Sequence, residues 1–296
     1  MYELLVEKCS KYMEEKGISQ AKLAAKIGVA ESTFSRWFKN TYPNPETISN
    51  KVVIFFDKEE KREDVVSVGK ISYADTTISQ KVVNVLEYCR LQRIIGTIYG
   101  DAGIGKTYTS KNWAKDKSDV IIVTANPTVA SPKPFLKLLA NKLKTTMVGG
   151  VDDIYMDITD KLDGLDMTII IDESQHLTRK ALEVIRSIND ETGTAIIMIG
   201  NESIYNKMVG KQQAEFAQLF SRLGMRNCLM TDMFDEDDVQ NVFCTNDSDI
   251  VKYLLSICRS KYGLRGAVNV YTNARNNNDI SQKGLKAMAQ VMGITA

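Results

Sequence analysis

The chain has 296 residues, room for a small domain and one large α/β domain. Its 38 Lys and Arg nearly cancel 37 Asp and Glu, and a net charge of +1 gives no global basic field, so any DNA contact must come from local patches. Five cysteines without a C-x-x-C pair and a single histidine argue against a disulfide framework or a zinc site. No apolar run reaches membrane-span length, which makes the expectation a soluble, cytoplasmic protein with no membrane contact.

Residues 1–57 read as a compact helical module. Leu4, Leu5, Cys9, Tyr12 and Met13 recur at helical spacing until Lys16-Gly17 stops the helix. Ser19 is placed to cap a second helix, and Gly28 sits in a short turn before a third that begins near Ala30. This stretch resembles the helix-turn-helix of phage repressors, in which the second helix of the pair enters the major groove. The resemblance implies that Glu31, Ser32, Thr33, Ser35 and Arg36 face DNA while Leu23, Ile27 and Trp37 form core. Protein docking is the other use of such modules. Residues 58–76 open with a mixed charge run and have few apolar positions, so they are expected to be a linker.

From Thr77 to Leu91 apolar residues return at helical spacing, and the run Ile94-Ile95-Gly96-Thr97-Ile98-Tyr99 reads as a buried strand. The strand runs into Gly100-Asp101-Ala102-Gly103-Ile104-Gly105-Lys106-Thr107-Tyr108, with Gly100, Gly105, Lys106 and Thr107 at the G-x-x-x-x-G-K-[ST] spacing of a phosphate-binding P-loop. Glycines let successive N–H groups converge, and the helix that starts there adds its positive end. These nine residues are therefore the expected ATP cradle, with Lys106 reaching the β and γ phosphates and Thr107 holding Mg²⁺.

Further apolar runs, 120–123, 167–171, 195–199 and 228–230, alternate with helical patterns at 135–143, 154–162, 180–189 and 216–219. Strands buried on both faces and separated by helices predict a parallel five-stranded sheet in an α/β core over 77–231. Past Asp232 the strand signal ends and helices near 236–243, 248–260, 264–275 and 281–292 form a helical lid over 232–296. The run Ile169-Ile170-Ile171 ends in Asp172-Glu173, the Walker B pattern: Asp172 for the Mg²⁺ shell and Glu173 as general base toward a water.

Three more residues fall into this frame: Asn201 after the next strand, Arg222 before the fifth, and Arg265 opening a lid helix. Residues 77–292 thereby resemble the AAA+ ATPases. The resemblance makes Asn201 sensor 1, Arg222 the arginine finger offered to a neighbouring subunit (with Arg226 as competitor) and Arg265 sensor 2. Taken with the N-terminal module and the Asp-Glu-Ser-Gln-His box, the layout resembles the transposition ATPases of the phage Mu B type. In that family ATP-dependent proteins assemble as helical filaments on double-stranded target DNA and recruit a transposase. His176 lies in the box without an assigned role. Lys133, Lys137 and Lys142, with Lys144, come after the second strand and are a second expected DNA contact, a solvated helix face being the alternative. Other readings of the whole are a helicase loader and an ATP-sensing helix-turn-helix repressor.

Overall fold

The computed structural model describes residues 2–69, 71–204 and 223–295. The chain divides into two compact units, Met1–Lys70 and Ile71–Ala296. Among the described residues no helix is long and apolar enough to cross a membrane.

The first unit is four helices, α1 (Tyr2–Lys16), α2 (Gln20–Ile27), α3 (Glu31–Phe38) and α4 (Pro45–Gly69). Ser19 accepts the Lys22 N–H and starts α2, and Gly28 ends it in the left-handed region at φ +77°, which a side chain would disfavour. The α2–α3 corner encloses Leu23, Ala24, Ile27, Phe34 and Trp37, closed from the other side by Leu5, Cys9 and Tyr12 of α1 and by Ile48, Val52, Phe55 and Phe56 of α4. Trp37 meets its polar requirement inside this core by donating Nε1–H to Ser49 Oγ at 3.0 Å. Residues 58–69, expected as linker, instead continue α4 without interruption. The physical reason is that Lys and Glu are strong helix formers, and a run of them needs no core to extend a helix that packing has already nucleated. Glu59 also accepts the Tyr12 hydroxyl at 2.7 Å, tying that continuation to α1.

In the second unit α5 (Thr77–Gln92) leads into β1 (Ile95–Gly100), α6 (Lys106–Ala114), β2 (Val120–Thr124), α7 (Pro132–Leu143), α8 (Val151–Leu162), β3 (Thr168–Asp172), α9 (Arg179–Thr192), β4 (Ala195–Ile199) and β5 (Leu223–Leu229). The sheet is parallel throughout, in the order β2-β3-β4-β1-β5. Alternation within each strand splits the core in two. Ile169, Ile171, Ile196 and Met198 face α7, α8 and α9. Ile170, Ile197 and Ile199 face α5 and the C-terminal helices. Covering both faces is why these strands read as unbroken apolar runs. The fifth begins at Leu223, five residues before its expected start, because it is an edge strand: only Leu223 and Leu229 are buried and Gly224, Arg226 and Cys228 are exposed. The expected helix 216–219 lies outside the described residues.

Four helices complete the unit, α10 (Glu236–Phe243), α11 (Ser248–Cys258), α12 (Gly263–Asn276) and α13 (Gln282–Val291). They share one apolar cluster with α5 and one sheet face rather than forming a separate compact unit. Asp238, which with Asp235 makes a capping box for α10, also accepts the Thr77 N–H at 2.6 Å and ties these helices to the start of α5.

Candidate nucleotide site

The P-loop owes its shape to backbone packing. Gly100 has φ +132°, and a Cβ there would lie 1.8 Å from the Leu229 carbonyl oxygen, so β5 approaches as only glycine permits. Next to it Asp101 donates its N–H to the same Leu229 oxygen at 3.0 Å. Its carboxylate turns away from the cradle to accept the Thr231 N–H at 2.8 Å and hydroxyl at 3.0 Å. Ile104 is buried and pegs the loop into the core. Gly105, in the left-handed region, precedes α6 and supplies no side-chain cap, which leaves the first N–H groups of that helix for a ligand.

Lys106 crosses the mouth of the loop and donates Nζ–H to the Gly100 carbonyl at 3.1 Å and to the Asp101 carbonyl at 2.5 Å. Burial lowers its pKa from the ordinary lysine value. The carboxylates of Asp101, Glu173 and Asp172 oppose that shift and the Arg265 charge reinforces it. Thr107 donates its hydroxyl to Asp172 Oδ1 at 3.1 Å. β4 lies between β1 and β3 in the sheet, so this contact closes the site across a whole strand. Asp172 is nearly buried, and burial raises its pKa, against the hydrogen bonds from Thr107 and the Glu173 N–H. A hydroxyl and a carboxylate side by side next to a phosphate cradle are the hard oxygen donors that Mg²⁺ takes, so these residues fit that ion.

Glu173 is in the left-handed region at φ +55°, ψ +32°, rare for a residue with a side chain, and initiates the short 3₁₀ turn Ser174–His176. Its Oε2 accepts from Gln175 Nε2. Gln175, a member of the Asp-Glu-Ser-Gln-His box to which the sequence assigns no role, is thus in contact with the expected base. Asn201 enters the site differently from expectation. Its N–H reaches Gln175 Oε1 at 3.4 Å, but its side-chain Oδ1 accepts from Ser203 N–H and Oγ–H at 2.9 and 2.7 Å.

Arg265, more than 150 residues from the loop in sequence, belongs to it in space: its N–H donates to the Gly103 carbonyl at 2.9 Å. A Cβ on Gly263, at φ +60°, would lie 2.9 Å from the Ala102 carbonyl oxygen, so α12 abuts the P-loop backbone directly. Tyr108 is 55% exposed and its ring stands 5.9 Å from that of Tyr73. Arg222 lies outside the described residues, whereas Arg226 is exposed on β5 and pairs in register with Thr97.

The other expected contacts lie away from this site. On α3, Glu31, Ser32 and Arg36 are exposed and Thr33 and Ser35 half-buried, with the Arg36 guanidinium 5.9 Å over the Tyr42 ring. On α7, Lys133, Lys137 and Lys142 are all exposed. Lys133 and Lys137, one turn apart, share a face, while Lys142 falls on the opposite flank.

The chain carries an AAA ATPase domain with a helix-turn-helix domain ahead of it in sequence. The family model for the AAA domain matches residues 90–208, and that for the helix-turn-helix matches residues 10–50. Over most of its length the chain is similar to the Mu-like prophage FluMu DNA transposition protein B of Haemophilus influenzae, 27% identical across 90% of this chain and 95% of the relative. It is also similar to the ATP-dependent target DNA activator B of Escherichia phage Mu, 23% identical across 82% of this chain and 78% of that one. The corresponding protein of Escherichia phage D108 is 24% identical over the same shares. Among solved structures the Aeropyrum pernix ORC2 protein in its ADP form shares the fold, with a TM-score of 0.52 and 14% identity over 76% of this chain and 72% of that one.

Proposed function

We propose that this chain is an ATP-controlled, largely sequence-independent DNA-binding ATPase that assembles on double-stranded target DNA and there recruits and activates a transposase. The observation that carries the reading is the hydrogen bond from Thr107 to Asp172, made close enough to Lys106 for its ammonium to feel the Asp172 and Glu173 carboxylates. The names of the relatives, a transposition protein and two ATP-dependent target DNA activators, supply the direction in which such an ATPase is used.

In this reading the N–H groups of 103–107 grip the triphosphate of ATP, and the Lys106 ammonium exchanges two loop carbonyls for phosphate oxygens. Mg²⁺, held by Thr107 and Asp172, supplies neutralisation of the charge that develops on the phosphates. Glu173 takes a proton from the attacking water while the water oxygen bonds to the γ phosphorus and the bond to the β–γ bridging oxygen breaks, leaving ADP and phosphate. Asn201 stands beside that water, and Arg265 carries the lid onto the γ phosphate. Arg222 of a neighbouring copy is the finger, with Arg226 as the fallback. A finger of that kind contributes about 10³ to 10⁵ in rate, so hydrolysis should depend on assembly.

Ser32, Thr33 and Arg36 of the first unit and Lys133, Lys137 and Lys142 of the second are the proposed DNA contacts. One small module binds DNA non-specifically with a Kd of roughly 10⁻⁴ to 10⁻⁶ M, and linked subunits convert that into stable coating through effective concentration. A head-to-tail interface whose rotation does not close gives a filament, and one that closes gives a ring.

The test combines band shifts on unrelated duplexes with electron micrographs in a non-hydrolysable ATP analogue. Coating that scales with duplex length and requires nucleotide supports the reading. A discrete dimer on one preferred site favours a repressor instead, and capture of a replicative helicase without duplex coating favours a loader. Turnover per chain that stays constant on dilution removes the shared site.

A further inference from the structure

A short polar chain joins the ends of β3 and β4, apart from the Gly100–Thr107 loop. The left-handed backbone at Glu173 and the single 3₁₀ turn Ser174–His176 after it reverse the chain, so the side chain two residues on comes back alongside that of Glu173. Gln175 Nε2 donates to Glu173 Oε2, and Gln175 Oε1 accepts the Asn201 N–H at 3.4 Å. The turn is pinned to the same strand by Ser174 Oγ, which donates to the Ile199 carbonyl at 2.8 Å. Gly200 makes the approach possible, because a Cβ there would lie 2.6 Å from Gln175 Oε1 and 3.3 Å from Ser174 Oγ.

We propose that Gln175 is the positioning residue of the general base: it holds one oxygen of the Glu173 carboxylate, leaves the other for water, and keys that orientation to the backbone at the end of β4. The assignment rests on the reading of Glu173 as the base in hydrolysis. The chemistry at residue 175 is specific. Its side chain must donate to a carboxylate and accept from an N–H at once, which a carboxamide of this length does. An ionised glutamate cannot donate, and leucine does neither. A positioned base contributes roughly 10² to 10⁴ in rate, and a carboxylate free to swing away from the water forfeits part of it.

The experiment measures kcat, KM for ATP and Tm with the full chain on duplex DNA, for the parent, Gln175→Leu, Gln175→Glu and Glu173→Gln. In Q175L kcat falls at least about tenfold while KM stays within about twofold, because the grip on the triphosphate is untouched. In Q175E the side chain can no longer donate to the Glu173 carboxylate, so kcat falls at least as far as in Q175L with KM again within about twofold. Gly200→Ala, which crowds the carboxamide without removing it, repeats the kcat loss and stands in should Q175L fail to fold. A purely structural role lowers Tm and leaves kcat per folded chain within about twofold of the parent, which overturns the proposal. The proposal is overturned if E173Q is inactive while Q175L and Q175E both turn over within about twofold of the parent. Retained turnover in E173Q overturns the base assignment itself, and the role of Gln175 with it.

Discussion

The two halves of the nucleotide site are built by opposite means. At the end of β1 the shape is set by glycine backbone: Gly100 packs on the Leu229 carbonyl, Gly103 on Arg265, and Gly263 on Ala102, all with positive φ. At the end of β3 the left-handed residue is Glu173, which has a side chain, and what holds it is a carboxamide and a hydroxyl reaching to β4. The first half is a rigid mould for a polyanion, insensitive to small changes in its neighbours' side chains. The second is a relay, and its accuracy depends on groups some 25 residues away in the chain. Binding should therefore be a property of the glycine half and turnover of the relay half.

The strongest way to break that division is a pair of substitutions on either side of it. Lys106→Ala removes the Lys106 ammonium from the mould, and the expected result is loss of ATP binding together with all ATP-dependent DNA coating. Glu173→Gln leaves the mould intact, so nucleotide and DNA stay bound while turnover falls by about 10³, trapping the protein on the duplex. Equilibrium binding of a fluorescent ATP analogue and co-sedimentation with duplex measure both. Weak nucleotide binding in E173Q, at parental Tm, shows the halves to be one unit.

A smaller effect sharpens the contrast from the side of α12. Gly263→Ala asks for a left-handed residue with a Cβ 2.9 Å from the Ala102 carbonyl, and either α12 or the loop must yield. Left-handed backbone alone costs about 1–2 kcal/mol with a side chain, and relaxation of the contact adds to it. ATP affinity should drop about tenfold, while single-turnover hydrolysis at saturating ATP changes by less than about threefold. If hydrolysis drops with affinity unchanged, α12 serves the chemistry and not the grip.

The same division decides what is legible in the sequence. The P-loop is readable because its glycines, Lys106 and Thr107 fall in one short stretch, and β3 and β4 because burial on both faces leaves them almost wholly apolar. β5 shows only its end because an edge strand alternates, leaving Gly224 and Arg226 to resemble a turn. The extension of α4 is hidden by polarity, since a charge run has no apolar period to read and still propagates a helix. Gln175 is in plain sight in its box, but its role comes from where Gly200 and Asn201 lie in space. Spacing carries no trace of the turn of Asp101 toward Thr231 either. Arg265 stands out in the sequence as a charge, whereas what joins it to the loop is its backbone N–H.

The smallest expected effect concerns the residue where the halves meet. Burial raises the Asp172 carboxyl above its ordinary range, so the folded chain retains a proton there that the unfolded chain has already released. The stability this contributes is present below the unfolded value and is lost as pH rises through the folded one; at pH 7 an ionised, nearly buried Asp172 weakens the fold. Asp172→Asn keeps the oxygen that accepts from Thr107 and from the Glu173 N–H and removes the charge. Without nucleotide its Tm at pH 7 should exceed that of the parent, by about 2–4 °C for each kcal/mol recovered in a unit of this size. The difference should fade as pH falls toward about 4, where the parent is itself protonated. Addition of ATP and Mg²⁺ should invert the order, because the parent then gains RT ln(1 + [L]/Kd) and the variant, short of a charged ligand for the ion, gains less. A variant no more stable at pH 7 than at 4 means that the Thr107 and Glu173 hydrogen bonds already offset the burial, and the meeting point then belongs to the rigid half.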